Sequence, residues 1–139
     1  MNVDGVTTGI VIDHIPAGKS MEIYKLLHLE KLTCSVAIVQ NAHSTKYGKK
    51  DIIKIDENIT LNLDVLGFID PDITVNMIKD GQLTKKKHLE LPETLTGVIR
   101  CKNPRCITTV EQEIVHAFKL TNREKRQYSC IYCDAPYSE

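Results

Sequence analysis

Cys101-Lys102-Asn103-Pro104-Arg105-Cys106 and Cys130-Ile131-Tyr132-Cys133 place two pairs of thiols in the last 39 residues of a 139-residue chain. Each pair brackets a short turn able to present two sulfurs to one point, and four thiolates complete a tetrahedral sphere around one ion. The fifth cysteine, Cys34, lies alone in an apolar stretch and reads as a small buried hydrophobe. Two disulfides, a redox-active C-x2-C pair and an iron centre compete with zinc for the four-cysteine pattern. An odd cysteine count and a reducing compartment weigh against disulfides. Stability favours a metal, because the 46 residues 94–139 bury too little apolar surface to be secure alone. Structural zinc contributes an apparent ~10–16 kcal/mol to such a unit. Catalytic zinc keeps a water in place of one protein ligand, so four thiolates close the site to chemistry.

The uneven cysteines mark a boundary. Pro92 in Leu91-Pro92-Glu93 holds Leu91 extended and cannot donate to a ladder, so the chain is divided into 1–93 and 94–139. The first part carries 11 basic and 13 acidic side chains and the second 7 and 5, which sum to the 18 of each sign in the whole chain. A net charge of zero supplies no global field toward nucleic acid or a membrane. No apolar run approaches the ~18 to 20 residues of a membrane span, and Met1-Asn2-Val3-Asp4 does not open like a signal peptide, so a cytoplasmic protein is expected.

Upstream of the cysteines, Thr8 to Ile12 is a β-branched run that reads as a buried strand. Residues 19–32 repeat apolar side chains at helical spacing, with Ser20 as N-cap. Ser35 to Val39 and Lys49 to Ile55 read as strands flanking a polar loop at Asn41 to Gly48. Leu61 to Phe68 reads as a short helix, and Ile73 to Ile78 as a strand turned by Asp80-Gly81 into residues from Leu83 onward. The order β-α-β-β-α-β predicts an α+β fold. It comprises a ferredoxin-like two-layer sandwich of an antiparallel sheet with two helices, followed by a small all-β, rubredoxin or zinc-ribbon-like domain.

Ala17-Gly18-Lys19-Ser20, between strand and helix, has the end of a phosphate-binding loop but not its first glycine. Asp13 stands in that place and Pro16 removes an amide, so that reading fails. Strand alternation puts Lys50, Ile52 and Lys54 on one face, the lysine Cα atoms roughly 13 Å apart. Lys85-Lys86-Lys87 adds positive charge after the hairpin. From the residues alone, these lysines form either a solvated face or an anion site.

Taken together, the chain resembles the regulatory chains of aspartate carbamoyltransferase over essentially its whole length. The resemblance lies in Gly9-Ile10-Val11-Ile12-Asp13-His14-Ile15-Pro16, Gly48-Lys49-Lys50-Asp51-Ile52-Ile53-Lys54-Ile55 and Thr74-Val75-Asn76-Met77-Ile78, followed by the four cysteines. It implies a non-catalytic subunit of pyrimidine biosynthesis, with an N-terminal allosteric domain binding CTP, UTP or ATP and pairing into regulatory homodimers. A C-terminal domain would hold one structural Zn²⁺ on Cys101, Cys106, Cys130 and Cys133 and dock on catalytic chains, three regulatory dimers joining two catalytic trimers. By position, Asp13 would meet the ribose hydroxyls and His14 the phosphates. Lys54 would lie near base and ribose, and Lys50 and Lys86 toward the triphosphate. Val6, Val11, Asn76, Ile78 and Leu83 match the base pocket. Asn103 matches a contact to the catalytic chain, while Arg105 and Gly81 depart from residues found in some relatives.

A zinc-ribbon nucleic-acid-binding or interaction protein is the alternative, since Arg100, Lys102, Arg105, Arg123, Lys125 and Arg126 surround the cysteines. Four thiolates around Zn²⁺ carry a net −2 that offsets this charge, and no aromatic stacking platform is interleaved, so neither nucleic acid nor membrane is expected as a partner.

Overall fold

Ile10 and Ile12 are buried on one side of the first strand, and Val11 and Asp13 point to the other. This alternation organises residues 1–90, the first of two compact units. The computed structural model describes residues 7–137 apart from Tyr47. In the first unit the elements run β1 (Gly9–Pro16), α1 (Ser20–Leu26), a 3-10 turn (Leu29–Lys31), β2 (Val36–Ser44), β3 (Gly48–Ile55), α2 (Leu63–Ile69), β4 (Thr74–Lys79) and β5 (Gln82–His88). All strand pairs are antiparallel in a five-stranded sheet of order β2-β3-β1-β4-β5.

One face of this sheet carries the main core. Ile10, Ile12, Ile15, Ile53, Ile55 and Val75 pack with Ile23 of α1, Leu29 of the 3-10 turn and Leu66 of α2. Each such fully buried side chain contributes about 1.5–3 kcal/mol relative to exposure. Gly9 is fixed by packing, since a Cβ there would lie 2.1 Å from the Ile55 carbonyl oxygen on β3. At the β4–β5 hairpin, Asp80 (φ 53°) and Gly81 (φ 76°) are both left-handed, as a two-residue type I′ turn requires.

Three local expectations give way to tertiary structure. The helix expected over 19–32 stops at Leu26, because His28 turns left-handed (φ 55°) and lets the following 3-10 turn bury Leu29. Ser20 is not the N-cap but the first helical residue, fully buried, while Lys19 occupies the cap without a side-chain hydrogen bond. The loop expected from Asn41 is largely strand, since β2 continues to Ser44 past an irregularity in its pairing with β3 between Val39 and Ala42.

The second unit, residues 91–139, holds an antiparallel sheet of β6 (Thr94–Thr96), β7 (Ala117–Asn122) and β8 (Gln127–Cys130) in that order, and one four-residue helix, α3 (Ile107–Val110). Leu91, Leu95, Phe118 and Tyr128 are buried in it. The Glu93 carbonyl accepts from the Leu120 amide and the Pro92 carbonyl from the Tyr128 hydroxyl. Residues 91–93 therefore belong with this unit, three residues ahead of the cut expected after residue 93. Among the described residues, no helix is long and apolar enough to cross a membrane.

Candidate functional site

On the helix-free face of the first unit, strand register aligns Lys54 of β3, Val11 of β1, Asn76 of β4 and Lys86 of β5 in one row across the sheet. Three strand spacings of about 4.8 Å put roughly 14 Å between the outer Cα atoms. On one side of this row lie Gly9, Ile78 and Leu83, also in register. On the other lie Asp13, Thr74 and His88. Val11, Ile52 and Ile78 form a small buried apolar cluster on this face. The face is thus apolar at one end and charged at the other. Nine of the ten residues that the resemblance carried to a nucleotide site fall in or beside it: Asp13, His14, Lys50, Lys54, Lys86, Val11, Asn76, Ile78 and Leu83. The tenth, Val6, lies outside the described residues.

The charged end is ordered by three contacts. Lys50 Nζ lies 3.0 Å from Asp13 Oδ1 and 3.3 Å from Oδ2. Asp13 Oδ1 also accepts the His14 amide at 2.6 Å, and His14 Nδ1 lies 3.0 Å from Thr74 Oγ1. His14 adopts φ 59° at a pairing irregularity in β1, which turns its ring toward Thr74. Burial lowers its pKa below the usual 6.5. Asp13 opposes that shift, while Lys50, Lys86 and Lys46 add to it. Burial disfavours the charged ring first, and the lysines add a positive field that a bound anion would offset. Asn76 Oδ1 is buried in the middle of the row and has no hydrogen-bond partner among the described residues.

Asp51, between Lys50 and Ile52, points to the core side and is fully buried. Its carboxylate accepts the amides of Gly18 (3.1 Å), Ser20 (3.3 Å) and Asn41 (3.0 Å). Burial pushes its pKa up. The nearby Ser20 hydroxyl, outside hydrogen-bonding geometry, and the three amides outweigh burial and leave the group below the ordinary carboxylate value. Gly18 and Ser20 are the amides a phosphate-binding loop would aim at its ligand, and here a protein carboxylate takes them. Asp51, Thr74 and Lys46 were missed by sequence reasoning. For Asp51 the available signal was a charged residue at a core-facing position of β3.

In the second unit the four Sγ atoms of Cys101, Cys106, Cys130 and Cys133 lie within 4.8 Å of one another. The Cys101–Cys133 and Cys106–Cys130 separations are both 3.6 Å. A disulfide needs about 2.05 Å, whereas a tetrahedron of ~2.3 Å zinc–sulfur bonds has edges of roughly 3.8 Å. The donor set therefore fits one structural zinc ion, with Cys101 and Cys106 flanking one turn and Cys130 and Cys133 another. Burial pushes the Cys101 thiol up to about 12 against the Asn103 amide, which favours the thiolate. Cys130 is raised by burial against the amides of Cys133 and Tyr132. Cys106 goes the other way, down to about 6, chiefly through a hydrogen bond with the Thr108 side chain. Such differences vanish when metal draws all four into thiolates. The Cys101 amide donates to His116 Nδ1 at 2.9 Å. Asn103 Oδ1 accepts the Arg105 amide, so the side chain expected at a partner contact also shapes the first turn.

Comparison with known proteins divides the chain at the same place. Residues 1–90 match the family described as the allosteric domain of the aspartate carbamoyltransferase regulatory chain, and residues 93–139 match that chain's metal binding domain. An aspartate carbamoyltransferase regulatory chain of Clostridium botulinum is 48% identical over 138 residues, covering 99% of this chain and 94% of that protein. One from Clostridium tetani is also 48% identical, covering 99% and 96%. One from Bifidobacterium longum is 43% identical, covering 96% of each.

Proposed function

Because the chain belongs to the family of aspartate carbamoyltransferase regulatory chains, we propose that its first unit binds nucleotide effectors on the helix-free sheet face and its second unit docks on catalytic chains. It is a regulatory chain, not a catalytic one, of an enzyme whose name places it in pyrimidine biosynthesis. The effectors are CTP, UTP or ATP, in a cytoplasmic assembly.

The observation that carries the nucleotide reading is Asn76 Oδ1, a buried acceptor without a partner among the described residues, at the centre of a lysine-bounded row. Such an acceptor costs about 1–3 kcal/mol, a cost relieved when a ligand donor reaches it. A base amine or ribose hydroxyl supplies that donor, Val11, Ile78 and Leu83 offer an apolar bed, and Lys54 and Lys86 neutralise phosphate. Asp13 accepts from vicinal hydroxyls, and its ion pair with Lys50 discriminates against a phosphate without its sugar. Effector binding shifts the holoenzyme only through different affinities for its states, commonly a coupling of ~1–3 kcal/mol.

Pairing of regulatory chains is supported by the two sheet edges. β5 carries Lys85, Lys86 and Lys87, the charge that keeps an edge solitary, whereas β2 from Val36 to Ala42 has no charged side chain. β2 is therefore the edge offered to a second copy. On the second unit, Ile107, Val110, Val115, Ile131 and Tyr132 are exposed apolar side chains suited to a protein partner.

Titration calorimetry with CTP, UTP and ATP tests the nucleotide face. Lys54→Ala is expected to weaken binding about tenfold or more, with zinc content and co-purification with a catalytic chain unchanged. Unaltered affinity in that variant refutes the assignment.

A further inference from the structure

Four thiolates around Zn²⁺ leave a net charge of −2 in a small, mostly buried unit, and hydrogen bonds to sulfur must spread it. Backbone amides reach three of the sulfurs: Asn103 to Cys101, Thr108 to Cys106, and Tyr132 with Cys133 to Cys130. Among the described residues, only Cys106 also has a hydroxyl contact. Thr108 Oγ1 lies 3.0 Å from its Sγ, and Thr108 is 3% exposed. A metal-bound thiolate has no proton to give, so the hydroxyl must donate. The next residue does different work: the Thr109 hydroxyl reaches the carbonyls of Cys106 (2.7 Å) and Asn103 (2.9 Å), both backbone atoms of the turn.

We propose that Thr108 is a positioning residue of the zinc site, whose buried hydroxyl donates to the Cys106 thiolate, orients that ligand and slows its release from the metal. Thr109 braces the backbone turn and touches no sulfur. Adjacent threonines thus divide the support of one ligand between its sulfur and its main chain. The inference concerns the metal site alone and is independent of the nucleotide reading.

Thr108→Val keeps the shape and removes the hydroxyl. In the full chain it is expected to weaken zinc about 10- to 100-fold in chelator competition and to hasten release to the chelator. Thr108→Ser should restore both to within about threefold. In the cobalt-substituted chain the thiolate-to-cobalt charge-transfer band should move to lower energy in Thr108→Val, because losing the hydrogen bond raises the sulfur lone pair. The band should stay in place in Thr108→Ser and Thr109→Val. An unmoved band and unchanged zinc affinity in Thr108→Val overturn the proposal, as does a Thr109→Val band shift of the same size. Should Thr108→Val fail to fold, the unmutated chain loaded with cadmium-113 gives the answer. A coupling between the metal and the Thr108 hydroxyl proton supports the donor role, and a hydroxyl proton that exchanges freely with water refutes it.

Discussion

The two units solve the same problem of stability by different means. In the first, ten aliphatic residues are buried between a five-stranded sheet and its helices, and the opposite sheet face carries a smaller apolar cluster beside charged side chains. In the second, a three-stranded sheet buries few large apolar residues, among them Leu95, Phe118 and Tyr128, and its buried cysteines face one another. A unit with a sufficient core can spend a surface on ligand recognition, and one without must tie its ends to an ion.

Removing the metal is the strongest way to break the comparison. A chelator acting on the full chain under reducing conditions, or Cys101→Ser, is expected to remove an apparent ~10–16 kcal/mol of metal binding and melt residues 91–139 while residues 1–90 stay folded. Amide hydrogen exchange would show protection lost on β7 and β8 and kept on β1 and β3. Equal loss in both units would show that the first lacks a core of its own. The reciprocal test is Leu66→Ala, which empties a fully buried position of α2 and should destabilise the first unit by about 2–5 kcal/mol. Zinc stoichiometry should not change, and a fall in bound zinc would contradict independent stabilisation.

The same difference explains what could be read from the sequence. Four cysteines at fixed spacing mark a metal centre because each pair lies within a few residues of chain. Alternation placed Lys50, Ile52 and Lys54 on one face of β3, and the turn at Asp80-Gly81 was legible because few dipeptides accept two left-handed residues. What escaped depends on contacts between distant segments. Asp51 reaches Gly18, Ser20 and Asn41 across 33, 31 and 10 residues, and with them it holds the start of α1 and the bend of β2. Apolar spacing alone carries helix α1 past Leu26, and only the packing of Leu29 shows why His28 turns away. The Thr108 hydroxyl is just two residues from Cys106, yet spacing does not reveal which neighbouring side chain turns toward the sulfur.

The smallest effect sharpens the first unit's role most directly. His14 titrates below its usual 6.5, by burial first and then by Lys50, Lys86 and Lys46 against the opposing pull of Asp13. The folded chain therefore binds fewer protons there than the unfolded chain, and this group makes the fold less stable as pH falls below about 6.5. A bound polyanion offsets the lysines and raises the His14 pKa, so nucleotide binding takes up a proton and affinity should rise as pH falls from 7.5 toward 6. With one pKa unit worth 1.36 kcal/mol, a partial shift predicts a gain of about threefold. Protonation of the terminal phosphate, whose pKa is near 6, acts in the opposite direction on every variant alike. The diagnostic quantity is therefore the difference in pH slope between the natural chain and His14→Gln, measured by calorimetry in buffers of different ionisation enthalpy. Equal slopes and equal proton uptake in the two would place His14 outside the phosphate contacts and confine recognition to the row from Lys54 to Lys86.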